Sequence, residues 1–295
     1  LEYDAFTTVF QDSKGTEWFG SNGFGLFYKN SFFNSFQTLK NSNSGNELTF
    51  SSVRDIVSID NHIWICGYGG LNVMDLKTFK IQDILTKEND NSILEWTKYL
   101  NTKSMYSIYS DPFNSDLIWL GSEGNGLHKY SKSKKLFKSV IFGRKYGQEE
   151  NINSVFWFDS YEKNLLLGTT QGIFVFEPIS ETYGRLEEIN KSLKKENIHV
   201  KSLYVKNNKI YFIADGIDTY VYNLKLAKLE RLTKYFSNLD EDIFKNTNSI
   251  KEYGSSILLS TKESGLYILD MKFMFMNGFA IMKKTAPHVL LLRIY

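Results

Sequence analysis

The sequence predicts an all-β fold, a β-propeller of four-stranded antiparallel blades in about six repeats, and three observations carry that prediction. The first is a repeat anchored at Trp18, Trp64, Trp119, Leu166, Phe212 and Leu258, with successive spacings of 46, 55, 47, 46 and 46 residues. The second is alternation. Each segment holds an alternating apolar run, a polar turn, a run containing the anchor, a Gly-rich turn and a further alternating run. Period-two alternation marks strands with one buried face. The third is a small residue two positions after every anchor: Gly20, Cys66, Gly121, Gly168, Ala214 and Ser260.

The elements of one unit follow in order. Asp12-Ser-Lys-Gly15, Asp60-Asn61, Asn207-Asn208 and Gly254-Ser255 suit the tight turn between the first strand and the anchor strand. A third strand follows the Gly-rich turn. A fourth, strand-like run closes the unit, as at 35–39, 79–84 and 137–142, with 272–276 as the outer strand of the last blade. No amphipathic helix of convincing length interrupts the pattern. A single blade cannot bury both faces, so the anchors are expected to pack on neighbouring blades, which makes the 16 % aromatic content mainly structural. The small residues are expected to relieve crowding where the sheets twist together. The propeller is assigned to residues 1–276 and 277–295 to an atypical tail; the stretch after Asp270 holds four of the six Met residues and no acid.

Composition excludes several classes. One Cys, Cys66, precludes an internal disulfide or a Cys-based zinc site, and no run of eighteen apolar residues exists to span a membrane as a helix. The formal charge of +2 belongs to the stretch after Asp270. Lys272, Lys283, Lys284 and Arg293 lie there, so the preceding 270 residues carry 31 basic against 33 acidic side chains. The basic runs at 132–135 and 191–195 are read as turns, and Glu187, Glu188 and Glu196 surround the second. Mixed signs do not build the one-sided field that phosphate recognition uses, so no nucleic acid is expected. The chain begins at Leu1, which fits either a removed leader or a segment of a longer protein.

Catalytic and metal-binding patterns are sparse. His62, His128, His199 and His288 are scattered over separate units, and no Gly-x-Ser-x-Gly occurs. The Gly-rich stretches 20–25 and 67–70 lead into strands, so they lack the helix N-terminus that would face a phosphate. The acidic runs Glu149-Glu150, Glu187-Glu188 and Asp240-Glu241-Asp242 read as solvated surface. Asp12, Asp60, Asp111 and Asp159 recur at one repeat position and read as turn caps. No catalytic residue, metal or cofactor is therefore expected.

The best-kept units carry a family resemblance. Val9, Asp12, Gly15, Trp18, Gly20, Gly25, Leu26 and Tyr28 set out a pattern that Trp64, Gly67, Gly70, Leu71 and Asp75 repeat, as do Trp119, Gly121, Gly126, Leu127 and Tyr130. This pattern resembles the two-component regulator propeller repeat, over about residues 5–270. The last three units depart from it by replacing Trp with Leu166, Phe212 and Leu258. The resemblance implies an extracytoplasmic, periplasmic sensor region of a bacterial hybrid two-component system, with a glycan or oligosaccharide ligand. It also implies seven-bladed propellers, often two in succession followed by a small β-sandwich. Partners would then be downstream sensor regions or a second copy of the chain.

Blade geometry supplies binding candidates. With the first strand innermost, loops between the second and third strands share a face with the links between blades. Those loops vary in sequence while the framework stays constant, as a binding rim on a rigid scaffold would. Phe24 and Tyr68 are candidates to stack on a sugar ring or an aromatic ligand. Glu123, Asn125, Gln171, Asp215, Asp218 and Lys262 are hydrogen-bonding candidates, and Arg54 and Lys201 are placed at the channel entrance. A non-enzymatic sensor is the first function class. A lyase or hydrolase using carboxylates at the channel mouth is the alternative.

Overall fold

Each alternating run forms a strand, and consecutive strands pair antiparallel into meanders. The computed structural model describes residues 6–12, 15–29, 37–39, 47–82, 104–140, 152, 154–236, 239–253, 256–262 and 265–270. The first blade contains β1 (Phe6–Gln11), β2 (Glu17–Ser21), β3 (Leu26–Lys29) and β4 (Gln37–Leu39), and the second β5 (Ser52–Ile59), β6 (His62–Tyr68), β7 (Gly70–Asp75) and β8 (Ile81–Gln82). The third contains β9 (Met105–Ser110), β10 (Leu117–Ser122), β11 (Leu127–Ser131) and β12 (Leu136–Val140). The fourth contains β13 (Val155–Tyr161), β14 (Asn164–Thr169), β15 (Gly172–Glu177) and β16 (Thr182–Arg185). The fifth contains β17 (Val200–Lys206), β18 (Lys209–Ala214), β19 (Asp218–Asn223) and β20 (Lys228–Arg231), and the sixth β21 (Thr247–Tyr253), β22 (Ser256–Thr261) and β23 (Leu266–Asp270). In every sheet the spatial order is the sequence order. The chain is thus a six-bladed β-propeller. The expected outer strand at 272–276, the turn Gly254-Ser255 and the tail 277–295 lie outside the described residues.

The chain divides into two compact units, one of residues 8–156 and one of residues 1–7 with 157–295. In the 8–156 unit the anchors are aromatic, and Trp18 and Trp119 are hydrogen-bonded through their indoles. Trp18 is fully buried, stacks on Tyr28 at 5.0 Å and reaches Phe79 of the second blade at 6.3 Å between ring centroids. Its indole Nε1 donates to Asp12 Oδ2 at 3.0 Å, while Asp12 Oδ1 accepts the Thr16 N–H at 2.9 Å. Trp119 repeats the arrangement, donating to Asp111 Oδ2 at 2.7 Å, with Asp111 Oδ1 accepting the N–H groups of Phe113 and Asn114. One carboxylate therefore closes the turn and satisfies a buried indole. Asp60 departs from this scheme. It sits at a positive-φ turn position (φ 50°) and bonds the Lys132 ammonium at 2.9 Å instead.

Inner strands of this unit are tied through Asp55, whose Oδ1 accepts from Thr8 Oγ1 at 3.3 Å and whose Oδ2 accepts the Ile108 N–H at 3.1 Å. The small residues after the anchors face the next blade. A Cβ on Gly20 would stand 2.6 Å from side-chain carbons of Thr8 and Val53, and one on Gly121 would stand 2.3 Å from the Val155 carbonyl oxygen.

The 157–295 unit uses the same scheme with apolar anchors. Leu166 packs with Ile210 and Phe212 of the fifth blade, and Tyr211 and Ile213 of the fifth pack with Ile257 and Leu259 of the sixth. Asp159 Oδ2 accepts the Val205 N–H at 2.5 Å, and Ser202 Oγ accepts the Ile250 N–H at 3.1 Å. A Cβ on Gly168 would approach the Val200 carbonyl at 2.9 Å.

No long amphipathic helix is present among the described residues, as expected, but two short ones are. Short helices α1 (Glu187–Leu193) and α2 (Glu241–Lys245) occupy the links between blades. The two acidic runs in these links are helix starts rather than mere solvated surface. Glu187 and Glu188 fill the first turn of α1, and the Asp240 side chain caps α2 by accepting the Asp242 N–H at 3.0 Å. Buried Ile189, Ile243 and Phe244 explain why such short segments hold their shape. Their length, rather than their apolar face, hid them from periodicity. No described helix is long and apolar enough to cross a membrane.

Candidate functional site

In a four-stranded meander the first strand begins at the end where the second gives way to the third. At that end the register of the inner strand slips by one residue. The pairing shifts between Val53 and Asp55, between Met105 and Ser107, between Val200 and Ser202, and between Thr247 and Ser249. The residues left without a partner in the ladder are Arg54, Tyr106, Lys201 and Asn248. A bulge re-aims its side chain away from the regular alternation. It does so here at one repeat position in four blades, and each of the four residues takes part in a polar or aromatic cluster.

In the 8–156 unit that cluster is aromatic. The Arg54 guanidinium lies 4.3 Å from the Tyr68 ring centroid and 5.1 Å from that of Tyr106. Tyr68 and Tyr106 meet edge to face at 5.6 Å, and Tyr106 meets Phe156 in the same way at 4.6 Å. The Tyr68 hydroxyl donates to Glu123 Oε2 at 2.8 Å and lies 3.0 Å from the Tyr106 hydroxyl. Burial, then the bonds to Tyr106 and Glu123, push the Tyr68 phenol well above its ordinary pKa, so it stays a neutral donor. Asn22 Oδ1 accepts from Ser52 Oγ at 2.9 Å and from Arg54 Nη2 at 3.4 Å. The rings, the planar cation and the carboxylate thus hold one another in place.

In the 157–295 unit the corresponding cluster is ionic. Asp215 Oδ1 lies 3.2 Å from Lys262 Nζ and 4.0 Å from Lys201 Nζ, and its Oδ2 lies 3.7 Å from His199 Nδ1. Lys201 Nζ also donates to Asn248 Oδ1 at 2.6 Å, and Asn248 Nδ2 donates to the Phe6 carbonyl at 3.2 Å. Burial opposes ionisation of Asp215, but the Lys201 and Lys262 charges outweigh it and hold the carboxyl below its ordinary pKa.

The position of Asp215 is itself informative. Three residues after the anchor, the first, third, fourth and sixth blades carry a buried hydroxyl that donates to a loop glycine carbonyl: Ser21 to Gly25, Ser122 to Gly126, Thr169 to Gly172 and Thr261 to Gly265. These hydroxyls are structural. The fifth blade places a carboxylate where they stand.

The structure thus gathers Arg54, Tyr68 and Glu123 in one cluster and Lys201, Asp215 and Lys262 in another. Phe24 is half exposed at 50 %, and Asn125 is exposed in the loop that Ser122 closes. Gln171 is tied into its loop, its N–H donating to Thr169 Oγ1 at 3.0 Å and its carbonyl accepting from Asn190 Nδ2 at 3.1 Å. Asp218 is not presented with the others. Its carboxylate is 2 % exposed, accepts the Thr219 N–H at 2.7 Å and lies 3.6 Å from Arg231 Nε. Tyr106, His199 and Asn248 were absent from the sequence-based set. For Tyr106 and Asn248 the signal is a doubled step in the inner strand, as in Met105-Tyr-Ser-Ile108 and Thr247-Asn-Ser-Ile250, where strict alternation allows one intervening residue. Among the described residues no group of three or more His, Cys, Asp or Glu is arranged to hold a metal ion.

No protein-family model matches the chain, and no curated protein matches its sequence. Solved structures do match. The extracellular domain of BT3049 from B. thetaiotaomicron, described as a hybrid two-component system, superposes with a TM-score of 0.62 at 18 % identity, over 88 % of this chain and 33 % of that one. The extracellular domain of BT4673 from the same organism, described as a one-component system, gives 0.60 at 20 % identity, over 91 % and 38 %. The WD40 repeats of RRP9 give 0.58 at 8 % identity, over 92 % and 78 %. At these identities the likeness shows the propeller fold. The chain spans 33 % and 38 % of the lengths of the two extracellular domains.

Proposed function

We propose that this chain is the ligand-recognising region of an extracytoplasmic sensor of the two-component regulator propeller kind, that its ligand is a glycan or oligosaccharide, and that it binds without turning its ligand over. The single observation that carries this reading is the Arg54–Tyr68–Tyr106–Glu123 cluster, built on a bulge and a short loop of rigid strands. Ring faces, phenolic hydroxyls, a planar donor and a carboxylate acceptor match a saccharide, which offers apolar C–H faces flanked by hydroxyls. The repeat pattern of the first three blades and the likeness to extracellular domains of B. thetaiotaomicron support the sensor role. The signal would leave the site as altered packing, passed to downstream regions or to a second copy of the chain.

The test is a thermal-shift and calorimetric screen against oligosaccharides, with product analysis on the same samples. Saturable binding of one sugar class, weakened at least tenfold by Tyr68→Ala and with no product formed, is the expected result. Turnover of any bound saccharide would instead establish the lyase or hydrolase alternative.

A further inference from the structure

The ionic cluster of the 157–295 unit has a charge balance that the aromatic cluster lacks. Two ammonium groups, Lys201 and Lys262, converge on one oxygen of one carboxylate, and an imidazole faces the other. Asp215 remains ionised, so the described side chains of the cluster carry a net positive charge even with His199 neutral. Asp218, three residues further on, does not offset it, because its buried carboxylate is turned to Arg231. The cluster is reachable yet partly desolvated, with side-chain exposures of 41 % for Lys262, 25 % for Asp215 and 23 % for Lys201. Charges in that setting interact more strongly than they do in bulk water. The position is also singular. Asp215 replaces the loop-closing hydroxyl of other blades, and Lys201 is aimed by its bulge and held by Asn248.

We propose that this cluster is an anion-recognition site that selects acidic glycans, those carrying a carboxylate or a sulfate ester. The ligand's anionic group takes a place beside Asp215 between the two ammonium groups. Asp215 keeps the lysines together in the free protein and repels the ligand's charge in the complex. This inference rests on the glycan reading above and narrows it.

The experiment is isothermal calorimetry on the intact chain with matched probes. These are oligogalacturonate and its methyl ester, sulfated and desulfated carrageenan oligosaccharides, and inorganic phosphate. The acidic member of a pair is expected to bind at least tenfold more tightly, with affinity falling as salt rises. Lys201→Met and Lys262→Met should each remove most of that preference, the acidic member falling towards the affinity of its neutral partner. Asp215→Asn should strengthen acidic binding, the opposite of what a carboxylate bonded to sugar hydroxyls would do. Thermal unfolding of each variant separates lost binding from lost folding. Equal binding of acidic and neutral members overturns the inference and leaves the glycan reading standing. Binding of phosphate with no saccharide bound overturns both the selection of acidic glycans and the glycan reading. No response to any acidic probe or phosphate overturns the inference.

Discussion

The two units of the chain are built on one blade plan but spend their side chains differently. In the 8–156 unit, Trp18 and Trp119 are buried indoles locked by Asp12 and Asp111, and the bulge residues Arg54 and Tyr106 belong to an aromatic cluster. In the 157–295 unit the anchors are Leu166, Phe212 and Leu258, which need no polar partner, and the bulge residues Lys201 and Asn248 join an ionic cluster. The contrast separates two jobs. Positions facing the next blade accept any side chain of suitable volume and satisfied polarity. Positions at the bulge are free to differ, and they carry the chemistry.

The largest effect expected from breaking this contrast lies at the indole lock. Trp119→Ala should cost about 3–5 kcal/mol, and Trp119→Phe about 1–3 kcal/mol, because Asp111 loses its buried donor. Phe212→Leu in the other unit involves no such bond and should cost less than about 1.5 kcal/mol. Chemical denaturation of the three variants measures the difference, and equal losses for Trp119→Phe and Phe212→Leu would remove the distinction.

Next in size is a pH effect confined to the 8–156 unit. Burial lowers the pKa of His128 from 6.5 to about 4. The native imidazole is neutral, with Nδ1 2.9 Å from Ser139 Oγ. The unfolded chain therefore takes up its proton first. The contribution is fully present above pH 6.5 and is lost as pH falls towards 4, amounting to about 3 kcal/mol. Denaturation midpoints of wild type and His128→Gln at pH 7 and pH 4 should converge at the lower pH. Parallel losses in both proteins would contradict it.

Much of the plan was legible in the sequence, and the reason is physical. The anchors and the small residues after them face neighbouring blades, so their volume is constrained in every unit and the repeat survives. Gly121 shows the constraint directly, since a Cβ there would meet a backbone oxygen at 2.3 Å that cannot move aside. The rim loops were legible as places of variation, and Tyr68, Glu123, Asp215 and Lys262 stand in them. Tyr106 and Asn248 were not found, because a bulge inverts the face that alternation assigns. The indole lock was half visible. Asp12 and Asp111 read as turn caps, but the second bond of each carboxylate depends on how the hairpin folds back. Helices α1 and α2 escaped because packing of Ile189 and Phe244, rather than a long periodic face, holds them.

Two smaller effects sharpen the assignment of framework and rim. Gly121→Val should cost about 1–3 kcal/mol through forced overlap with the next inner strand, measured by thermal unfolding, and an unchanged midpoint would contradict that contact. Asp218→Asn should be nearly neutral. Burial raises the Asp218 pKa, against the opposing Thr219 N–H and Arg231 charge, so its ionisation costs stability as pH rises through the ordinary carboxylate range. An Asn keeps the acceptor for Thr219 and removes that cost, so stability at pH 7 should stay equal or rise slightly, as chemical denaturation would show. A large loss would mean that the Arg231 contact outweighs burial.

The central claim is that ligand recognition belongs to the side chains at the bulges. It is tested most directly by titrating the tightest saccharide from the screen into wild type and a Tyr106→Ala, Lys201→Ala double variant by calorimetry. Saturable binding to the wild type, at least tenfold weaker binding to the variant and unchanged blade structure by circular dichroism are expected. Equal affinity of the two proteins for that saccharide would contradict it.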